Sequence, residues 1–369
     1  PTELNEDFLR RDFTINAIAI EIWPHYGKIW DPYNGLDDLN NHIIRTPNEP
    51  NITFSDDPLR MLRAIRFSSK LNFNIEKNTW QGIKANKERI AIVAPERISE
   101  ELNKMLLLPV PSIAFNLLDD TGLLDYILPE LTALKTIDTE QDFSHKDNFK
   151  HSLQVLDNVS QQLETLPNHP NNLWLRWAAL LHDIGKSKTK RFDDKTGFSF
   201  HNHEVVGAKM VPMIFKRLHL PLNEKMDYVV KLVLLHLRPI ALVDDIVTDS
   251  AIRRLILDAG EDLDDLMILC ECDITSKNPY KVQKFKKNLK NLKQKFEEIE
   301  EKDRLRNFQP PISGEVIMQT FDLKPSKLVG EIKTAIREAI IEGEIPNEYD
   351  AAYNFMIKYG KSIGLNPIE

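Results

Sequence analysis

Apolar residues recur at helical spacing along most of the chain, which makes the expected fold mainly α. The periodicity predicts helices over about 58–70, 78–87, 95–108, 112–120, 173–182, 203–218, 224–237, 249–258 and 262–274. From Val282, apolar residues fall at Phe285, Leu289, Leu292, Phe296 and Ile299, a 3-4 alternation that marks one amphipathic helix. Pro310-Pro311 closes that helix, and a small helical tail runs from about 313 to the end. Strand character lies mainly near the front, where residues 18–31 read as two short strands around a Pro-His-Tyr-Gly turn. Asp56-Asp57-Pro58 has the signature of a helix start, with carboxylates at the positive end and Pro in the first turn. There is no internal repeat, and cuts near 50, 140 and 305 divide the pattern best.

A chain of 369 residues with 42% hydrophobic and 28% charged residues has room for two or three ordinary globular domains. No apolar run approaches the roughly 20 residues that span a bilayer, and the first residues form no signal peptide. The expected setting is cytoplasmic, with no membrane and no protein partner inferred. Cys270 and Cys272 are either packed core thiols or a metal or redox pair. A net charge of -8 argues weakly against binding nucleic acid through bulk charge.

Candidate chemistry begins at Arg10-Arg11-Asp12-Phe13-Thr14-Ile15-Asn16-Ala17. Two adjacent guanidiniums form a phosphate fork, and a neighbouring carboxylate can accept from a ribose hydroxyl. Next, Asp57, Arg60 and Arg63 fall three apart, so on a helix they share a face. A carboxylate accepts from the exocyclic amine of cytosine or adenine, while a guanidinium donates to the ring nitrogen beside it. Uracil and guanine present a carbonyl and an N–H there, and each failed hydrogen bond costs roughly 1–3 kcal/mol. An Asp-Arg edge is thus able to select CTP and ATP without a template. The bland alternatives are a solvated ion cluster and a helix-start ion pair.

These segments, with Asp31-Pro32-Tyr33-Asn34-Gly35-Leu36-Asp37-Asp38-Leu39, Arg45 and Pro95-Glu96-Arg97-Ile98-Ser99-Glu100-Glu101, resemble four successive motifs of class II tRNA nucleotidyltransferases and bacterial poly(A) polymerases. The resemblance implies that Arg11 contacts the nucleotide, that Asp12 and Asn16 sit at the ribose and that Asp57 and Arg60 read the base. It puts Arg63 and Arg66 on the triphosphate side and gives Glu96 and Arg97 a bracing role in the neck. Implied partners are tRNA, CTP and ATP, with Mg2+ for nucleotidyl transfer. That family's Gly-Gly-x-x-Arg-Asp loop and metal-binding Asp-x-Asp lie upstream of Arg-Arg-Asp, and neither stands ahead of Arg10 here. The expectation is therefore that the Mg2+ ligands are missing from this chain and that about 100 further residues precede it in the native protein.

A second constellation lies further on. His182-Asp183 closes an apolar helix, where a charged group must be paired or metal-bound. His151 lies 31 residues before His182 and Asp273 lies 90 after Asp183, with His203 and His236 between. In this order the set resembles the HD phosphohydrolase superfamily. That resemblance implies His151, His182, Asp183 and Asp273 as ligands of a divalent metal of unknown identity. His203 and His236 would ligate a second metal or hold phosphate, and Lys186 would help neutralise it. The implied substrates are phosphate esters such as 2′,3′-cyclic phosphates.

Lysines 277, 281, 284, 286, 287, 290, 293 and 295 crowd the long amphipathic helix, either as its solvated face or as contacts to tRNA phosphates. The expected organisation is the C-terminal part of an α/β nucleotidyltransferase head over 1–50, a helical neck over 51–140, an all-α HD domain over 141–305 and a helical, tRNA-binding tail over 306–369. Alternatives are a stand-alone HD metallophosphohydrolase, a poly(A)- or A-adding polymerase and a non-catalytic RNA-binding remnant. The Asp57/Arg60 pair argues against the first of these, and the complete His/Asp set against the last.

Overall fold

The computed structural model describes residues 4–135, 139–140, 143–144, 147–194, 197–244, 248–276, 278–303 and 311–368. Lys277, Pro310 and the cut near 305 lie outside the described residues. The chain divides into two compact units, Pro1–Leu234 with Cys272–Thr275, and Leu235–Glu271 with Ser276–Glu369.

The first unit opens with α1 (Leu4–Leu9), a single 3-10 turn at Thr14–Asn16, and a hairpin of β1 (Ala19–Ile20) and β2 (Ile29–Trp30). The two strands are antiparallel, with Ala19 opposite Trp30. Then follow α2 (Gly35–Asn40), β3 (Ile43–Ile44), α3 (Pro50–Asp56), α4 (Leu59–Leu71), β4 (Asn74–Ile75) and α5 (Lys77–Asn86). β3 and β4 pair in parallel. The Asp31 carboxylate starts α2 by accepting from the Gly35 and Leu36 N–H groups at 2.6 and 2.9 Å. Gly35 is required there, since a Cβ would lie 2.2 Å from the Thr14 carbonyl oxygen. Asp38 is buried, accepts from the Thr14 hydroxyl at 2.7 Å and pairs with Arg45 at 3.0 Å. The Asp31–Arg45 run is thus a scaffold that fixes the backbone of the Arg-Arg-Asp segment.

α4 buries Leu59, Met61, Leu62, Ala64 and Ile65, and ends at Asn72 in the left-handed conformation. It packs on α6 (Pro95–Leu106) and α7 (Ser112–Thr121), which lead to short α8 (Leu124–Ile127) and α9 (Pro129–Thr132). After the small hairpin of β5 (Thr139–Glu140) and β6 (Phe143–Ser144) come α10 (Asn148–Glu164), α11 (Asn172–Leu181) and α12 (Lys186–Thr189). The hairpin of β7 (Arg191–Asp193) and β8 (Gly197–Ser199) precedes α13 (His203–Arg217) and α14 (Glu224–Leu235). α11 is buried nearly all round, through Leu175, Trp177, Ala178, Ala179, Leu180 and Leu181. Its Arg176 donates to the Leu106 and Leu108 carbonyls at 2.6 and 2.8 Å, satisfying acceptors left open where α6 ends. Trp177 is fully buried and donates to the Asn103 side chain at 2.8 Å; truncating it would open a cavity at a cost of about 3–5 kcal/mol.

The second unit contains α15 (Arg238–Asp244), α16 (Asp249–Ala259), most of α17 (Leu263–Asp273), α18 (Pro279–Asp303), α19 (Gly314–Phe321), α20 (Lys327–Glu342) and α21 (Tyr349–Ser362). Ile312, Ile317, Phe321, Ile332, Ile336, Ile340, Ala352 and Met356 form one apolar cluster among the last three helices. Gly360 lets Phe321 close in, because a Cβ there would meet its ring at 2.4 Å. The predicted stripe of α18 is buried at Leu289, Leu292, Phe296 and Ile299.

Three local expectations change. Asp56 is the last residue of α3, a helix the periodicity did not separate, and Asp57 is an extended link (φ -142°, ψ 98°). The predicted helix 224–237 stops at Leu235, and a new helix starts at Arg238. α18 begins at Pro279, ahead of the first apolar position of its stripe. Among the described residues no helix is long and apolar enough to cross a membrane.

Candidate functional site

The first site is a cavity of about 560 Å³ in the first unit, lined by Arg10, Arg11, Asp12, Asn16, Asp57, Leu59, Arg60, Arg63, Phe67 and Arg97. Five guanidiniums face two carboxylates, so the cavity favours an anion. Asp12 is buried and accepts from the Arg63 Nε at 2.8 Å and from the Asn16 amide at 2.9 Å. Arg60 donates to the Arg10 carbonyl at 2.5 Å and to the Thr53 carbonyl at 3.3 Å, tying α4 to the Arg-Arg-Asp segment. Arg11 pairs with Asp7 at 2.7 Å on the exposed rim.

Asp57 behaves differently from the sequence expectation. Because it is extended, its carboxylate leaves the helical face of Arg60 and Arg63. One oxygen caps α4 through the Leu59 N–H at 3.2 Å, and the other accepts from Arg97 at 2.9 Å. Arg66 does not line the cavity: it is buried and donates to Glu101 at 2.5 Å. Arg97, read from sequence as a brace, lines the cavity, as do Arg10 and Phe67. Glu96 instead pairs with His219 at 2.6 Å, and its own backbone N–H, followed by this hydrogen bond, holds its carboxyl below the usual range.

The second site gathers on α10, on the turn after α11, and on the strip 272–275. His151 stands one turn into α10, whose start is capped by Asp147. Its Nε2 lies 2.9 Å from Asp273 Oδ1 and 3.5 Å from Asp183 Oδ2. His182 Nε2 lies 3.5 Å from Asp273 Oδ1 and 3.3 Å from Asp183 Oδ2, and His203 Nε2 lies 3.1 Å from Asp183 Oδ1. Lys186 reaches Asp183 at 2.6 Å. Gly185 makes this convergence possible, since a Cβ there would sit 2.1 Å from the His203 carbonyl oxygen. His236 follows α14 in the other unit, is buried, and its carbonyl accepts from the Cys270 thiol at 2.9 Å. Both cysteines are buried free thiols.

Burial opposes charge on His182, yet Asp183 and Asp273 outweigh it and push its pKa up to about 10. The same burial works against Asp183 and Asp273, but the imidazoles, and Lys186 beside Asp183, hold both carboxyls far below the usual range. The donor set suits a divalent cation: one ligand atom each from His151, His182 and Asp273 lie within 4.8 Å of one another. His182 Nδ1 and His203 Nδ1 each lie 2.8 Å from a carbonyl oxygen three residues back, Ala179 and Phe200. Those carbonyls fix the Nδ1–H form and aim Nε2 into the cluster.

Three family models match this chain. Residues 1–45 match the poly A polymerase head domain, 72–135 the probable RNA and SrmB-binding site of polymerase A, and 148–278 the HD domain. The A-adding tRNA nucleotidyltransferase of Deinococcus radiodurans is 33% identical over 360 residues, covering 95% of this chain and 78% of that protein. The chain belongs to the tRNA nucleotidyltransferase family. Within that family, the CC-adding tRNA nucleotidyltransferase of Thermus thermophilus is 30% identical over 355 residues, 94% of this chain and 76% of the relative. The CCA-adding enzyme of Bacillus stearothermophilus, solved in complex with CTP, shares the fold: TM-score 0.64 at 23% identity, over 98% of this chain and 76% of that one. As a tRNA nucleotidyltransferase family member, the chain carries its guanidinium-lined cavity where the head-domain match gives way to the helices that follow.

Proposed function

We propose that this chain selects CTP and ATP and, with tRNA as acceptor, serves template-independent addition of C and A to the tRNA 3′ end. The single observation that supports this most is the cavity in which Asp57 and Arg60 stand among further guanidiniums. In this reading Asp57 and Arg60 meet the base edge, Asp12 and Asn16 the ribose, and Arg11 and Arg63 the triphosphate. Arg66, paired with Glu101, holds α4 against α6. The cavity does not fit a Mg2+ site of its own, because Asp12 is held by Arg63 and Asn16, and Asp57 by Arg97.

The HD cluster suits hydrolysis of phosphate esters such as 2′,3′-cyclic phosphates. His151, His182, Asp183 and Asp273 would hold a divalent cation, which would supply Lewis acidity toward the ester. Lys186 sits beside Asp183 to balance charge, and His203 orients that carboxylate from its other oxygen. We assign the basic face of α18 and the helices after it to tRNA phosphates, a contact that would weaken with salt.

The test is equilibrium binding of CTP, ATP, UTP and GTP to this chain, with incorporation of each into tRNA lacking its 3′ CCA. Preference for CTP and ATP that collapses in Asp57→Ala supports the reading; equal binding of all four nucleotides sinks it. Names of relatives favour one variant. The Deinococcus radiodurans and Thermus thermophilus relatives are named A-adding and CC-adding, which favours partial addition. Product lengths on tRNAs ending before and after CC separate the two.

A further inference from the structure

Of the imidazoles of His151, His182 and His203, two have Nδ1 fixed by a carbonyl of their own chain turn, His182 by Ala179 and His203 by Phe200. His151 is different: its Nδ1 lies 3.0 Å from the Thr275 hydroxyl, 124 positions away in sequence. A carbonyl accepts only, so it dictates the tautomer. A hydroxyl can donate or accept, so it takes the role the other ring nitrogen leaves it: when Nε2 turns its lone pair to a cation, Nδ1 carries the proton and the hydroxyl accepts, provided its oxygen is held within reach. That position is fixed from two sides. Asn158, two turns along α10 from His151, donates to the Cys272 carbonyl at 2.9 Å, and the Gln154 amide donates to the Asn158 oxygen at 3.0 Å. Asp273, between Cys272 and Thr275, meets His151 Nε2 at 2.9 Å. The four-residue strip therefore grips both nitrogens of one ring, a carboxylate on Nε2 and a hydroxyl on Nδ1.

We propose that Thr275 is a positioning residue for the metal site: its hydroxyl accepts from His151 Nδ1–H, holding the ring in the tautomer and plane that present Nε2 to a cation beside Asp273. Asn158 supports this by holding the strip through its backbone. The inference rests on the metal-binding reading of the cluster and adds the residues that orient it. Removing the hydroxyl leaves the ligands in place but frees the ring to turn or to carry its proton on Nε2, where the cation must bind. Outer-shell partners of this kind typically change metal affinity by about 10- to 100-fold.

The experiment titrates the full chain with Co2+ and with Mn2+ alone, by calorimetry and, for Co2+, by visible absorption. Thr275→Val is nearly isosteric and lacks only the hydroxyl; Thr275→Ser restores it. The expected result is weaker binding in Thr275→Val by about 10- to 100-fold, near-parental binding in Thr275→Ser, and unchanged thermal unfolding of both variants in chelator. Parental affinity in Thr275→Val, or equal losses in both variants, overturns the role of the hydroxyl while leaving the metal site standing. If the unaltered chain binds neither ion, the metal reading itself falls and the inference with it. Asn158→Ala provides the second handle, with a smaller loss of affinity expected because the strip keeps its contacts to His151.

Discussion

Arg97 donates to Asp57 across 40 positions of sequence, at 2.9 Å, at the mouth of the guanidinium-lined cavity. One oxygen of the Asp57 carboxylate is thereby held by the Leu59 N–H and the other by Arg97. Its orientation is set before any ligand arrives.

Base preference should thus depend on both residues, unequally. Asp57→Ala removes the acceptor and is expected to erase the preference for CTP over UTP, a loss of roughly 1–3 kcal/mol in discrimination. Arg97→Ala leaves the acceptor but loosens it, so a smaller loss is expected. Competition binding of the four nucleotides measures both, and an unchanged ratio in Asp57→Ala would remove Asp57 from base reading.

Arg66 and Glu101 make a buried pair, with Lys104 on the second Glu101 oxygen at 3.0 Å. Removing Arg66 leaves one buried Glu101 oxygen without its partner while Lys104 stays on the other, so Arg66→Ala should destabilise the first unit by about 1–3 kcal/mol. Nucleotide preference at a temperature where the variant is folded should stay parental. Denaturant unfolding and the same competition assay distinguish this from a triphosphate contact, which would lower affinity for all four nucleotides.

At Gly185 a methyl group would meet backbone on a neighbouring helix, an obstacle that side-chain adjustment does not remove. Gly185→Ala should cost about 1–3 kcal/mol by overpacking and should lower Co2+ affinity, because His203 and Asp183 must separate. Normal stability and normal metal uptake in this variant would contradict the close packing described.

Asp157 supplies a pH test away from both sites. Burial pushes its pKa up, and the hydrogen bonds from Ser112, including the backbone N–H at 3.0 Å, only partly offset this. Its folded pKa lies above the unfolded one, so the folded chain holds the proton more tightly. Stability is favoured below the ordinary value of 3.8 and declines as pH rises through the raised folded value. Asp157→Asn keeps an acceptor for Ser112 and has no charge to bury. It should be more stable than the parent at pH 7 and indistinguishable from it near pH 3.5, in denaturant unfolding at the two values.

Much of the helical framework could be read from the chain, because apolar period and caps are local properties. The stripe of α4, the apolar run of α11 and the spacing of α18 each appear where the pattern puts them. Reading failed where two helices abut: α3 is too short to show a period, although the start of α4 beside it was signalled by Asp56-Asp57-Pro58, and the break at His236-Leu237 is marked only by Pro239 in the first turn of α15. The residue types of both candidate sites were also legible, since Arg-Arg-Asp, Asp-Pro-Leu-Arg and His-Asp are uncommon clusters in sequence.

Partnerships were not legible. Whether Arg63 meets Asp12 or a ligand, Arg66 meets Glu101 or a phosphate, and Asp57 faces Arg60 or Arg97 depends on where elements 35 to 51 residues apart come together. The same holds for Thr275, an ordinary residue in sequence whose hydroxyl gains meaning only from the ring opposite it. Sequence by itself determined the helices and the chemical vocabulary, because propensity, period and capping act within a few residues. Tertiary structure alone decided which charge each arginine answers, because an ion pair or hydrogen bond requires atoms within about 3–4 Å, a distance that only long-range packing sets.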